Sequence, residues 1–310
     1  MADCQRFSRF WLGAMEMIAY ICKVTDKYEL MFSRIVLGLL SFLGFGAGRQ
    51  CSGNVDVVGD TLRRGIVEYL DCRCTLYSAG MPVSRLVADY KGLAERGIVE
   101  GVVPVIVEVD VNLYDMLREN SGCGGVMNVE KLREYRRLAV CKQVEDGKAL
   151  LAGRLAEYKD CLKESGEADW ETDIMGMEVY EDVGKIDAFV GLSNGGGLTA
   201  NEFLLAEIPV RNVWDVFRWL PFGGWNACPG EDELVSVARY WYDKYGAVPA
   251  VVTHDGVQFR VARPAKESEA MDLAMEQFAF CEDIVTQGVG NIRTLARLLT
   301  GSTVWCFWWD

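Results

Sequence analysis

The sequence predicts an α/β protein: a mixed sheet flanked by helices, preceded by an N-terminal helical extension, with α+β as the alternative. Three observations support this. Between residues 57 and 119, helical stretches alternate with β-branched ones, the order expected of strands joined by helices. The last hundred residues read as helix, hairpin, two helices and a closing strand. The 310 residues, 50% of them hydrophobic, can bury roughly 75% of the unfolded surface with no disulfide or metal staple.

The first 54 residues carry six Lys/Arg against four Asp/Glu, although the whole chain has a net charge of -13. They include the most apolar run, Ile35–Gly48 (IVLGLLSFLGFGAG). Its 14 residues fall short of the about 20 that span a bilayer. It reads as a buried or surface-docked amphipathic helix. Membrane attachment, or a signal-peptide core should Met31 be the start, are the alternatives.

Residues 57–69 predict a helix and 72–77 a strand. In 82–96, Val83, Leu86, Val87, Tyr90 and Leu93 recur at helical spacing, with Gly97 as the expected stop. Residues 102–109 (VVPVIVEV) predict an interior strand and 111–119 a helix. SGCGG at 121–125 marks a break. Residues 129–164 predict one long charged helical stretch, split or bent at Gly147 and Gly153. The acidic stretch 164–184 predicts a linker. Residues 186–192 predict a strand, followed by a glycine-rich hairpin or loop and then 202–208. The expected organisation is an apolar, helical extension (1–54), a small α/β unit (55–125), a charged helical segment with linker (126–185) and a C-terminal α/β domain (186–310).

The C-terminal hundred residues carry the clearest local signals. Pro229 suits a first helical turn, and Glu231, Asp232 and Glu233 suit its positive end. Gly246 stands at the expected C′ position. Residues 248–253 predict a strand that turns at Asp255-Gly256 into Val257, Phe259 and Val261. Helices are predicted over 267–280 and 292–299, with Asp283 capping 284–287 between them. The apolar end, 303–309, predicts a strand paired inside the sheet.

Four blocks in this region, LPFGGWNACP (220–229), YWYDKYGAVPAVVTHD (240–255), EQFAFCEDIVTQGVG (276–290) and STVWCFWWD (302–310), resemble a bacterial family catalogued as domain of unknown function 4253. The resemblance covers about 208–310. A fainter likeness to longer members lies in GVVPVIVEVDVNL. It implies a small α/β domain, usually cytoplasmic, and carries no reaction, cofactor or catalytic residue with it.

A pI near 4.7 repels phosphate backbones and argues against a nucleic-acid partner. The 11 cysteines are odd in number and show no Cys-x-x-Cys pair, so no disulfide framework, metal site or cofactor is expected, and a reducing cytosol fits. Cys72-x-Cys74 is a weak metal signal. Gly195–Gly197 lacks a phosphate-binding fingerprint. His254, the single histidine, could serve a nucleophilic Cys228 or Cys281 with Asp255, but a histidine at a hairpin turn needs no catalytic reason. Glu276, Gln277, Asp283 and Gln287 gather near one helix end and could run acid–base chemistry. Trp225 and Asn226 sit on a Gly-rich loop, a composition found at binding surfaces. The candidate binding residues are therefore Trp225, Asn226, His254, Glu276, Asp283 and Gln287. The expected function is non-catalytic recognition, with a basic protein as partner and an immunity-like role as one form. The alternative is an enzyme such as a hydrolase, using the Trp225 loop and the carboxylates Glu276 and Asp283.

Overall fold

The computed structural model describes residues 55–125, 127–179, 183–194, 197–199 and 201–310. The expected N-terminal extension, including 35–48, lies outside them, as do Gly195 and Gly196. Among the described residues no helix is long and apolar enough to cross a membrane.

Helix α1 (Val55–Leu70) leads through Asp71 into β1 (Cys74–Tyr77). Then follow α2 (Val83–Glu100), β2 (Val103–Glu108) and α3 (Val111–Asn120). Gly97 does not stop α2, which runs on to a left-handed Gly101 at φ 72°. Gly97 is needed for a close approach instead: a Cβ there would lie 2.4 Å from the Val102 carbonyl oxygen of the returning chain.

The long helical stretch is two helices, α4 (Val129–Ala139) and α5 (Gly147–Ser165). The break precedes Gly147, where Asp146 accepts the Lys148 and Ala149 amides as an N-cap. Gly153 lies within α5 and does not interrupt it. The expected linker carries a π-helical turn, Trp170–Gly176, docked on the core. Ile174 is buried, Trp170 meets Phe278 edge-on at 5.9 Å, and the Arg293 guanidinium donates to the Gly176 carbonyl at 2.8 Å.

Short strands β3 (Ser193–Asn194) and β4 (Gly197–Leu198) pair as a hairpin. The rest comprises β5 (Phe203–Ile208), α6 (Val216–Trp219), α7 (Glu231–Tyr245), β6 (Ala247–Val252), β7 (Gly256–Val261), α8 (Glu267–Phe280), α9 (Ile292–Leu299) and β8 (Val304–Trp308). Pro229 stands before the N-cap Gly230, two positions earlier than N1 (Glu231).

Six strands form one mixed sheet in the order β1-β5-β2-β6-β7-β8. All neighbours are antiparallel except β2 and β6, where Ile106 pairs with Val251 and Val107 with Val252. The sheet crosses the divisions expected from sequence, since β1 and β2 come from 55–125 and β5–β8 from 186–310. Residues 186–192 form no strand. They cross one sheet face, and their polar groups are met by distant residues: Ile186 N–H by Ser302 Oγ (2.8 Å), the Ile186 carbonyl by the Thr303 amide (3.0 Å), and both backbone groups of Val190 by the Gln258 amide (2.8 Å each). The apolar pattern there records partial burial, with Phe189 half-buried against Tyr90 and Leu192 buried, and not a strand.

On that face, Leu86, Tyr90 and Leu93 of α2 pack on Ile106, Leu205 and Val251. The larger core lies on the other face. Trp241 of α7 stacks on Phe307 (5.5 Å, 12°) and meets Phe259, Phe280 and Trp305 edge-on. Each such pair adds about 0.5–1.5 kcal/mol beyond its buried area. β8 is the sheet's edge and not an interior strand, yet Trp305, Phe307 and Trp309 are buried. The Cys281 thiol donates to the Trp308 carbonyl at 2.9 Å, so that edge group is satisfied.

Two glycines of α2 test this packing. Gly92 has open space around the position of a Cβ, so Gly92→Ala should stabilise the protein by about 0.5–1 kcal/mol. Gly97→Ala should destabilise it by about 1–3 kcal/mol, because overpacking against backbone outweighs helix propensity. Urea unfolding of both variants measures the difference, and equal shifts would refute the close approach.

Candidate functional site

The two parallel strands β2 and β6 end side by side, and the edge strand β8 runs in the same direction as β6. The carboxyl ends of all three therefore meet at one end of the sheet. In open α/β sheets this is where ligand crevices form. A cleft of about 400 Å³ opens there, lined by Asn112, Trp225, Asn226, His254, Asp255, Trp308, Trp309 and Asp310.

Each wall has a local cause. At the end of β2, Asp110 accepts the Asn112 and Leu113 amides and starts α3, which places Asn112 at the rim. The β6–β7 turn is closed by Thr253 N–H to the Gly256 carbonyl (2.9 Å) and Thr253 Oγ1 to Asp255 Oδ1 (2.8 Å), and it presents His254 and Asp255. Trp309 N–H donates to the Asp255 carbonyl at 3.0 Å, which ties the end of β8 to this turn. The Trp225 loop turns at Gly223 (φ +91°), where a Cβ would lie 2.0 Å from the Pro229 oxygen. The Asn120 amide of α3 holds the loop by donating to the Pro221 (2.8 Å) and Gly223 (3.0 Å) carbonyls. Trp225 packs edge-on against Phe222 and Trp309. Asn226 adopts φ 45°, a left-handed conformation that Asn tolerates, and donates to the Asp310 main-chain oxygen at 2.8 Å.

The histidine is held from beneath. Glu108, the last residue of β2, is 4% exposed. It accepts from the His254 amide at 3.0 Å, contacts the ring Nδ1 at 2.9 Å, and receives the Asn201 amide. Nε2 lies 3.8 Å from Asp255 Oδ2, beyond hydrogen-bonding distance. Burial disfavours the charged ring, but the bond to Glu108 and the charges of Asp255, Glu108 and Asp110 outweigh it, and the His254 pKa is raised.

Trp225, Asn226 and His254 thus share the cleft. Asp283 adjoins it, accepting the Asp310 amide at 3.1 Å. It does not cap 284–287 with its side chain, since its other oxygen takes the Gln287 amide at 2.9 Å. Gln287 therefore serves Asp283 and not the loop amides. Glu276 is elsewhere: it accepts from Tyr240 (2.7 Å), Trp241 (3.3 Å) and Lys244 (3.2 Å) and ties α8 to α7. The expected gathering of Glu276 with Asp283 does not form, because the two point to different elements. The thiol arrangement does not form either. His254 contacts Glu108 and Asp255, while burial pushes the Cys281 thiol up to about 12 and raises Cys228 as well. No metal-binding group of three or more ligand side chains occurs among the described residues.

Glu108 and Asn112 are site residues that the sequence reading missed. Glu108 left one trace, being the single acid in the run VVPVIVEV predicted as an interior strand. Buried carboxylates demand partners, and that demand points to a nearby donor.

The fold and cleft together define an α/β protein whose mixed sheet opens a ligand-sized crevice at the carboxyl ends of its parallel strands. Residues 204–310 match the model of a family described as a domain of unknown function, DUF4253. No curated protein and no solved structure matches the chain. The matched segment contains β5–β8 but not β2, so Glu108 and Asn112 are supplied from outside it.

The raised His254 pKa means that the folded protein holds this proton more tightly than the unfolded chain does. That stabilisation is complete below about pH 6.5 and is lost as pH rises through the folded-state value. Glu108→Gln should lower the His254 pKa and shrink this loss. NMR titration of the lone histidine's ring protons measures it; a titration unchanged in the variant would remove Glu108 as the cause.

Proposed function

We propose that the protein is a non-catalytic recognition protein that binds a basic protein partner by taking a cationic side chain into the cleft. The observation that carries this reading is the pairing of indole rings with carboxylates: Trp225, Trp308 and Trp309 share the cleft with Asp255 and Asp310. An aromatic face and a carboxylate together suit a guanidinium or ammonium group. A net charge of -13 speeds encounter with a basic protein and disfavours nucleic acid. Neutralising a basic effector, as immunity proteins do, is one role of this kind. A cytosolic location fits the free state of every described cysteine.

A second reading rests on the Glu108–His254 pair. A buried acid that holds Nδ1 and leaves Nε2 toward the cleft is the orienter–base half of a hydrolytic site. Its attacking group would be a water.

Titrating the full chain with an arginine-rich peptide, followed by tryptophan fluorescence, separates the two. Binding should weaken with added salt and fall about tenfold in Trp225→Ala and in Asp255→Asn, while Asp160→Asn, away from the cleft, leaves it unchanged. Equal affinity in all variants overturns the cleft reading. Turnover of ester or amide probes that is lost in His254→Gln replaces it with the hydrolytic one.

A further inference from the structure

Cys74 opens β1 and Cys72 lies in the bend two residues before it, far along the chain from the cleft residues of β6 and β8, and neither reading above uses them. The bend after Asp71 brings the two sulfurs to 4.0 Å of each other. Both residues are half-buried, so solvent reaches them, whereas Cys123, Cys228 and Cys281 are buried. Cys141 and Cys161 are exposed, but neither has a second thiol in contact among the described residues.

The turn that brings the pair together is built from several fixed contacts. Asp71 adopts φ 47°, a left-handed conformation unusual for a residue other than Gly. Arg133 clamps its carboxylate with two hydrogen bonds of 2.7 and 2.8 Å. Arg136, 3% exposed, donates to the Tyr69 carbonyl at 2.7 Å and packs over the Trp219 ring at 4.0 Å. The turn therefore holds Cys72 beside Cys74 with the Arg136 guanidinium favouring the Cys72 thiolate, and reactive thiols occur in partly exposed settings near such a charge. Glu207, paired with Arg73, is the opposing charge.

We infer that Cys72 and Cys74 form a thiol–disulfide exchange pair that is oxidised by small-molecule disulfides, independently of the cleft. The sulfurs must close from 4.0 Å to the about 2.05 Å of a bond, a movement within reach of side-chain rotation. Hydrogen bonding from Cys72 lowers the Cys74 pKa and raises that of Cys72, with burial and Glu207 opposing the change at Cys74. Either thiol can donate in the sulfur–sulfur contact, so either can open the exchange, here Cys74. Its thiolate attacks one sulfur of the disulfide RSSR, the S–S bond breaks, and RS⁻ leaves and takes up the proton that Cys74 gave away. Cys72 then loses its proton and attacks the Cys74 sulfur of the mixed disulfide. The second RS⁻ leaves and is protonated. Two protein thiols are oxidised to one intramolecular disulfide, and RSSR is reduced to two RSH.

Trypsin supplies the test, because Arg73 lies between the two cysteines. The full chain is incubated with oxidised glutathione, quenched in acid, alkylated, unfolded and digested. The oxidised protein should yield peptides 65–73 and 74–85 as a linked pair that separates on reduction. If both cysteines stay alkylatable, or carry separate glutathione adducts, while Cys141 and Cys161 react, the inference fails. Cys72→Ser should accumulate a glutathione adduct on Cys74, and Cys74→Ser one on Cys72. Absence of either adduct would overturn the exchange step at that thiol. Circular dichroism establishes that both variants are folded, and the wild-type digest tests the pair without either of them.

Discussion

Strand β2 pairs on one side with β5, which runs against it, and on the other with β6, which runs with it. All six of its residues are buried. The family match begins within β5 and continues through β8, yet β5 and β6 are not neighbours in the sheet. β2 fills the gap between them. Without it, the inner edges of both strands would expose rows of unpaired backbone groups, a state proteins avoid. The upstream residues are therefore part of the same sheet and not a separate attachment.

This insertion also makes the site. The register that pairs Val107 with Val252 carries Glu108 beneath the turn that bears His254. A buried carboxylate without partners would be costly. Here it receives a backbone amide, a ring nitrogen and the Asn201 amide, which also fixes the imidazole's orientation. The Trp225 loop is fixed in turn by α3, the helix that follows β2, through Asn120. Both sides of the cleft thus depend on where β2 enters the sheet.

The aromatic residues divide between stability and the cleft according to strand alternation. Along β8, Trp305 and Phe307 face the core around Trp241, while Cys306 and Trp308 project to the other side and are less buried. Trp309, beyond the strand, is buried and still forms part of the cleft wall. An edge strand this apolar would be a liability if bare. It is protected on one side by β7, with a carbonyl met by the Cys281 thiol and Trp308 covered near Gly288.

Local signals determined a large part of the fold from sequence alone. Gly246 ends α7, Gly256 begins β7 after the turn, and helical spacing marks α2, α8 and α9, because these depend on residues a few positions apart. The same holds for Trp225 and Asn226 as loop residues. Where the reading failed, the deciding contact was distant. The stretch 186–192 carries a strand's composition, but it joins no sheet: the Gln258 and Ser302 side chains and the amides of Thr199, Thr303 and Val304 meet its polar groups. Gly97 reads as a helix stop, but it answers to the chain that folds back at Val102. The acids Glu276 and Asp283 are near in sequence and bound to different elements. Glu108 and His254 are separated by 146 positions, and only the pairing of β2 with β6 brings them together. Propensity and periodicity are local properties of a chain, whereas strand order and the company of a buried charge are decided by how distant segments pack.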